Sequence, residues 1–348
     1  MQQGTSQPES SFKLETFTVC AGLGALLIVT GALLAFDELN EGGDYAFWYA
    51  LTVFARLVAI GVLVLLCALH VGDASWGASL RRATPAIGVG VVVASIALAA
   101  YDVSEGFGEA FWTPLNDLFY YIPVTLGAAV FLSATPRGDR VLGTPASWGR
   151  ILGAVALVVG LAIAIDDVTD AGGDEIWVFL SSFGVTTGLA LFLLALSLEA
   201  AGDMTQPQGG QIKVAELLND ARMPNWIAIG ALGVVGAGVL LGFNAMDAPS
   251  DGLWLMLQQW GFYLGLGSMV LIASGGQVGG YVRGDHPYLR YILIGGLVVM
   301  LIAGVKFAAD ANSDQFWWFL SDAIEYPAFL VLAYVMFEAK QRPLRVVR

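Results

Sequence analysis

The sequence predicts an all-α integral membrane protein of about ten transmembrane helices, built as five tandem two-helix hairpin repeats in a pseudo-fivefold parallel arrangement. Three observations predict it: a composition too apolar for water, a series of apolar runs of membrane-spanning length, and a tryptophan-centred pattern that recurs along the chain.

Hydrophobic residues make up 57% of the chain and charged residues 13%, with a mean hydropathy of +0.71; soluble domains carry roughly a quarter of their residues as charges. Crossing about 30 Å of hydrocarbon takes about 20 helical residues. Runs of that order lie near 17–36, 46–69, 85–101, 114–134, 149–165, 176–198, 225–246, 253–274, 288–308 and 316–337. Lipid offers backbone groups no hydrogen-bond partners, so runs with this patterning are helices. The first run is too long for a signal-peptide core, has no small-x-small cleavage site and belongs to a repeat, so it is read as mature structure. Cys20 and Cys67 fall inside apolar runs, as small hydrophobes rather than disulfide or metal ligands.

The net charge of −13 is the acidic balance expected of a halophile, and nothing in the sequence points to nucleic acid. The placement of the cations is more informative. Of sixteen Lys and Arg, fourteen lie in the termini or in loops after even-numbered helices, from Lys13 through Arg81, Arg82, Arg137, Arg140 and Arg150 to Arg348. Arg56 and Lys306 sit within apolar runs, and the loops after odd-numbered helices hold carboxylates alone. The positive-inside rule then makes this a multi-pass protein of the cell (plasma) membrane with both termini cytoplasmic.

Each even helix opens on a large apolar residue followed by Trp: Trp48, Trp112, Trp177, Trp254 and Trp317, spaced 64, 65, 77 and 63 apart. Seven residues before the Trp stands an acid (Glu41, Glu105, Asp170, Asp247, Asp310), and three before it Glu109, Asp174, Asp251 and Asp314, with Asp44 one place off. Three after it is always Leu, and four after it always a polar residue: Thr52, Asn116, Ser181, Gln258 and Ser321. Gly24, Gly88, Gly153 and Gly230 stand twenty-four before it, with Gly31, Ser95, Gly160 and Ala237 seven later, a small-residue stripe for close helix packing. Self-similarity at this period marks a repeat array. Two helices per unit give every unit the same orientation across the membrane, so the repeats are parallel rather than inverted.

The chain divides into an N-terminal cytoplasmic tail (1–16), repeats at 17–76, 77–142, 143–200, 222–284 and 285–338, and a basic C-terminal tail (339–348). The long third interval holds a cytoplasmic insertion (201–221) with a flexible Pro/Gln/Gly start and a short amphipathic helix.

An ionised group in hydrocarbon costs several kcal/mol unless it has a partner. Arg56 and Glu325 both stand eight residues after their Trp, in the first and fifth repeats, and Lys306 in the fifth lies at the depth of Asp37 in the first. Opposite charges at matching depth in the two terminal repeats imply that the array closes into a ring. The alternative is that Lys306 snorkels to the interface and Arg56 pairs with Asp117 or Asp322.

The polar residues four after each Trp continue one place on in Asp117, Ser182, Gln259 and Asp322. In a bilayer such a tier faces the bundle interior, as an ion or polar-solute pathway below an acidic vestibule or as interhelical glue. The outer acids Glu105/Glu109, Asp170/Asp174, Asp247/Asp251 and Asp310/Asp314 are spaced i, i+4, so a helical turn there offers a weak outer cation site. Asp166-Asp167-Val168-Thr169-Asp170 resembles the DDxxD pattern of polyprenyl-diphosphate enzymes, but it lacks the second acidic motif that holds the metal-diphosphate. His70 and His286 both lie at cytoplasmic helix ends, which leaves no haem pair and no His-based catalytic cluster.

The reading is therefore of a non-enzymatic channel- or transporter-like bundle that handles a cation or small polar solute through its polar interior, with no cofactor. The alternative is a structural or accessory subunit of a membrane complex. Expected partners are the lipid bilayer, inorganic cations and other membrane proteins. The charge asymmetry sets a test of topology: cysteines at positions 44 and 251 should react with an impermeant thiol reagent on intact cells, and Arg140→Cys should not. Labelling of Arg140→Cys would reverse the orientation.

Overall fold

The long apolar runs fold as the bilayer argument requires. The structure, a computed structural model, describes residues 9–41, 46–72, 143–170, 175–201, 223–248, 251–275, 277–278, 282–311 and 313–341. Its helices are α1 (Glu9–Glu41), α2 (Ala46–Gly72), α3 (Gly143–Asp170), α4 (Glu175–Ala201), α5 (Met223–Ala245), α6 (Gly252–Ser274), α7 (Pro287–Asp310), α8 (Gln315–Leu320), a π-helical turn (Ser321–Glu325) and α9 (Ala328–Lys340). Six spans are long and apolar enough to cross a membrane: Thr18–Asn40, Ile176–Ala195, Met223–Ala245, Gly252–Ser274, Pro287–Asp310 and Gln315–Lys340, the last running through α8, the π turn and α9. The runs at 85–101 and 114–134, expected to form the second hairpin, and nearly all of the expected insertion lie outside the described residues.

Neighbouring helices pair as hairpins, α1 with α2, α3 with α4, α5 with α6, and α7 with the α8–π–α9 span. Small residues set the register. A Cβ on Gly24 would fall 2.7 Å from Leu65 Cγ, and one on Gly153 would fall 2.7 Å from Leu194 Cγ; both leucines stand seventeen after their Trp. Gly31 likewise meets Leu57 Cβ at 2.8 Å and Gly160 meets Thr186 Cβ at 2.6 Å, both nine after the Trp. The first and third hairpins thus share one packing register. In the fourth, Gly230 instead faces Leu191 of the preceding hairpin.

The even helices form the inner layer. The spans Ile176–Ala195, Gly252–Ser274 and Gln315–Lys340 bury 56%, 61% and 67% of their apolar windows, against 39%, 39% and 22% for the outer spans Thr18–Asn40, Met223–Ala245 and Pro287–Asp310. Along this layer α4 packs on α6, α6 on α9, and α9 on α2, while α5 leans on α4 and α7 on α6. The fifth hairpin therefore touches the first, through α9 against α2 and through α8, the π turn and α9 against α1.

Two local features escape the apolar pattern. The first is on the side of the basic loops, where α6 ends on Gly275 in the left-handed conformation (φ 61°), the usual glycine helix stop. The chain then makes a two-residue antiparallel ladder, Gln277–Val278 with Val282–Arg283. The second is the π turn. Pro327 has no N–H and its ring would collide with the carbonyl of Ala323, four residues back, so a regular helix cannot run through it. The turn widens instead, and the Tyr326 N–H donates to the Ser321 carbonyl, five residues back, at 3.1 Å. Gly304 of α7 makes room for the widening: a Cβ there would lie 2.5 Å from both Ala323 N and Ala323 Cβ.

Gly304→Val should therefore cost about 1–3 kcal/mol by overpacking. It should be read as a lower melting temperature of the detergent-purified protein. An unchanged melting temperature would place α7 further from the π turn than the structure does.

Candidate functional site

The π turn gathers several of the intramembrane polar side chains. Its first residue, Ser321, donates from Oγ to Glu325 Oε2 at 3.4 Å. Its second, Asp322, accepts at Oδ1 from the Gln258 side-chain amide of α6, and its last, Glu325, forms an ion pair with Arg56 of α2. One turn of helix in the fifth hairpin thereby holds the fourth on one side and the first on the other. Asp322 is 4% exposed, and among the described residues its Oδ2 accepts no hydrogen bond. A carboxylate oxygen left so in a membrane span is costly.

Beside the ion pair lies a cavity of about 80 Å³ lined by Arg56, Ile60, Phe262, Glu325, Tyr326, Ala328 and Phe329. Arg56, Phe262 and Glu325 all stand eight residues after their Trp, so three hairpins bring the same register position to one point. Phe262 and Phe329 close the cavity on one side, their rings edge to face with centroids 5.2 Å apart. A water needs roughly 10–15 Å³ by this measure, so the cavity has room for several around the charged pair.

Further toward the basic side the interior is apolar. Twelve residues after each Trp stand Ile60, Leu189, Leu266 and Phe329, none more than 2% exposed. Sixteen after it stand Val64, Leu193, Val270 and Ala333, each at 0%. The four described hairpins therefore each present two successive buried apolar positions below the polar tier.

The remaining expected residues are distributed less uniformly. The side chain of Thr52, with Asn116 and Asp117, lies outside the described residues. Gln258 is buried against Asp322, while Gln259, one position round the helix, is exposed, as is Ser181; Ser182 is half-buried. The Ser181 carbonyl accepts from the Tyr263 hydroxyl at 3.1 Å, a contact between the third and fourth hairpins. Lys306 pairs with Asp310, one turn along its own helix, and not with Asp37, which is half-buried on α1. Its flexible stem lets it reach the acidic turn.

The two described pairs of outer carboxylates do not stack as a helical spacing would place them. Asp247 follows the end of α5 and Asp251 is the N-cap of α6. Asp310 ends α7 and Asp314 is the N-cap of α8, with φ 59°. In the fourth and fifth hairpins the acid three before the Trp thus sits at a helix N-terminus, where the helix dipole favours negative charge. Glu105, Glu109 and Asp174 lie outside the described residues, and of the Asp170 side chain nothing is described. Among the described residues no three His, Cys, Asp or Glu side chains are grouped to hold a metal. His286 is the N-cap of α7, its Nδ1 accepting from the Tyr288 N–H at 3.4 Å.

Sequence reasoning passed over a second polar cluster, at the basic end of the fifth hairpin. Glu338 is 6% exposed and pairs with Arg290 Nε of α7 at 2.7 Å. Lys340 Nζ donates to the Ile272 carbonyl near the end of α6 at 2.5 Å, and Gln341 Nε2 to the Asp285 carbonyl at 2.6 Å. The signal was a lone carboxylate near the end of a long apolar run. Of these cations, which mark topology by number, Lys340 also fastens the fifth hairpin to the fourth, and Arg290 joins the two helices of the fifth.

Among the described residues, six long apolar helices make this a helical, multi-pass membrane protein. No known protein family, curated protein or solved structure matches the chain, and its function rests on the chemistry of the site itself.

Removing one partner of a desolvated ion pair leaves the other charge uncompensated and costs about 3–5 kcal/mol. Arg56→Leu should thus lower the melting temperature markedly, and adding Glu325→Leu should recover part of that loss. Strictly additive losses in the double-mutant cycle would mean that the two side chains do not interact.

Proposed function

We propose that this chain is a transporter-like, non-enzymatic membrane bundle that takes up a cation or small polar solute into a polar tier in the outer half of its interior. The observation that carries the reading is Asp322, buried within a membrane span with one carboxylate oxygen held by Gln258 and the other unaccounted for by any donor among the described residues. Intramembrane ionisable groups of this kind mark substrate and ion pathways. In this reading the five hairpins close into a pseudo-fivefold ring with even helices inside and both termini cytoplasmic. The contact of the fifth hairpin with the first supports closure. The acidic turns at the helix N-termini then form a vestibule that raises the local concentration of cations.

A specific observation also favours the alternative, a structural or accessory subunit whose tier only joins helices. The apolar residues twelve and sixteen after the Trp are buried in all four described hairpins. An always-open channel does not fit them, whereas a binding site that is reached from one side at a time does.

Flux into proteoliposomes separates the two. Under Na⁺, K⁺, H⁺ or Ca²⁺ gradients the wild type should exceed empty vesicles for at least one ion. Asp322→Asn should cut that uptake about tenfold or more, a loss of ~1.4 kcal/mol, while shifting stability by roughly 1 kcal/mol or less. Background flux for every ion would leave the structural subunit.

A further inference from the structure

The cavity beside the π turn combines an ion pair, Arg56 with Glu325, and the aromatic rings of Phe262, Phe329 and Tyr326 in one wall. Small-molecule sites have this makeup, apolar walls with a few polar groups that fix orientation. The cavity is not sealed. Tyr326 is 43% exposed, and the side chains of Arg56 and Glu325 are 28% and 13% exposed. Neither Asp322 nor Gln258 is among its described lining residues, so it is separate from their contact.

We infer that this cavity binds a small zwitterion, a solute with one carboxylate and one ammonium or methylated ammonium group, between Arg56 and Glu325. It deepens the reading above by naming the small polar solute, and rests on that reading for uptake alone. Charge selects the class. A ligand carboxylate matches the Arg56 guanidinium, which can hold it through two parallel N–H bonds, and a ligand ammonium matches Glu325. A simple anion entering here meets Glu325 and a simple cation meets Arg56, each a like charge at close quarters. A zwitterion is neutral overall, so its entry leaves the net charge of the surroundings as it was, whatever other groups stand near. Parting the ion pair around it leaves neither partner without a counter-charge. The long arginine stem can give way, while Glu325 keeps its hydrogen bond from Ser321 Oγ. Size selects within the class. At roughly 10–15 Å³ per water-sized group, a cavity of about 80 Å³ takes about six such groups, a molecule near the size of alanine. The aromatic wall suits the cationic end, since an ammonium is attracted to the face of a ring.

The test is equilibrium binding of radiolabelled alanine and of radiolabelled glycine betaine to the full chain in lipid nanodiscs, with propionate, ethylammonium and glycerol as competitors. The expected result is saturable binding of at least one zwitterion, which the competitors displace only at concentrations higher by about tenfold or more. Alanine alone identifies a primary ammonium, and glycine betaine alone a methylated one. No saturable binding of either would leave a cavity that holds only water and overturns the inference. Displacement by any of the competitors at equal concentration does the same.

Two variants locate the ligand. Ala328→Leu fills the cavity and keeps both charges, so zwitterion binding should weaken by about tenfold or more. Glu325→Gln removes the partner of the ammonium, so zwitterion binding should weaken while propionate becomes the stronger competitor, because Arg56 then holds a carboxylate unopposed. A misfolded variant does not gain propionate binding. Zwitterion binding that is unchanged in both variants places the ligand elsewhere and overturns the inference. Zwitterion binding without uptake in proteoliposomes would remove the transport reading and leave this inference standing. Asp322-dependent ion uptake without zwitterion binding would do the reverse.

Discussion

The structure depends on one constraint: a charge inside hydrocarbon needs a partner, and at the π turn the partners come from different hairpins. Arg56 and Glu325 are far apart in sequence yet meet as an ion pair. Glu325 belongs to a five-residue π turn that also carries Asp322, bonded to Gln258. Neither contact stabilises a single hairpin. Each is satisfied only when two hairpins dock, so the polar tier specifies which hairpins are neighbours while apolar packing supplies the bulk of the contact. Buried ion pairs are weak evidence for stability, but they penalise wrong arrangements strongly, because a mispaired hairpin leaves a charge unmatched.

The rest of the fold makes that docking possible. Van der Waals packing between membrane helices favours small residues at the crossing, and Gly24, Gly31, Gly153 and Gly160 place the odd helices close against Leu65, Leu57, Leu194 and Thr186. The same device appears at Gly304, where α7 backs onto the widened turn. The π geometry follows from Pro327, whose missing N–H breaks the ladder. In doing so it aims Asp322 and Glu325 toward opposite neighbours, Gln258 and Arg56. The apolar layers below the turn are then free of polar obligations and close by shape alone.

Much of this was legible in the sequence because membrane folds are governed by few rules. Run length and apolarity gave the spans, and the Trp register pointed to hairpins of one design. The depth of Arg56 and Glu325 brought those two residues under suspicion as a pair. What was hidden has a common cause, the local backbone. Spacing alone suggested a helical outer turn, but Asp251 and Asp314 are N-caps, so acids that look like ligands i, i+4 apart sit where a helix begins. Depth alone matched Lys306 with Asp37, but a lysine stem is long enough to choose a nearer acid, Asp310. The π turn had a visible signal, Pro327 inside an apolar run six residues after Ser321, but a proline announces a break and not its form. Glu338 was passed over because it follows no repeat position, and its partner Arg290 was counted with the loop charges.

The two halves of the interior pose the mechanistic problem that any transport reading has to solve. Asp322 lies on the acidic side of Ile60, Leu189, Leu266 and Phe329, all buried, so in a transport reading an ion held there would have buried apolar side chains of four hairpins between it and the basic side. Such layers open by displacement of a helix, and displacement is least costly where the backbone ladder is already interrupted. That place is the π turn and Pro327, directly between α8, with its Trp317, and α9, which carries Phe329. On the basic side α9 is fastened by Glu338 to Arg290 and by Lys340 to the Ile272 carbonyl. Motion about the turn would therefore swing α8 and the acidic mouth while α9 stays anchored. The ion pair of Glu325 with Arg56 sits at that pivot.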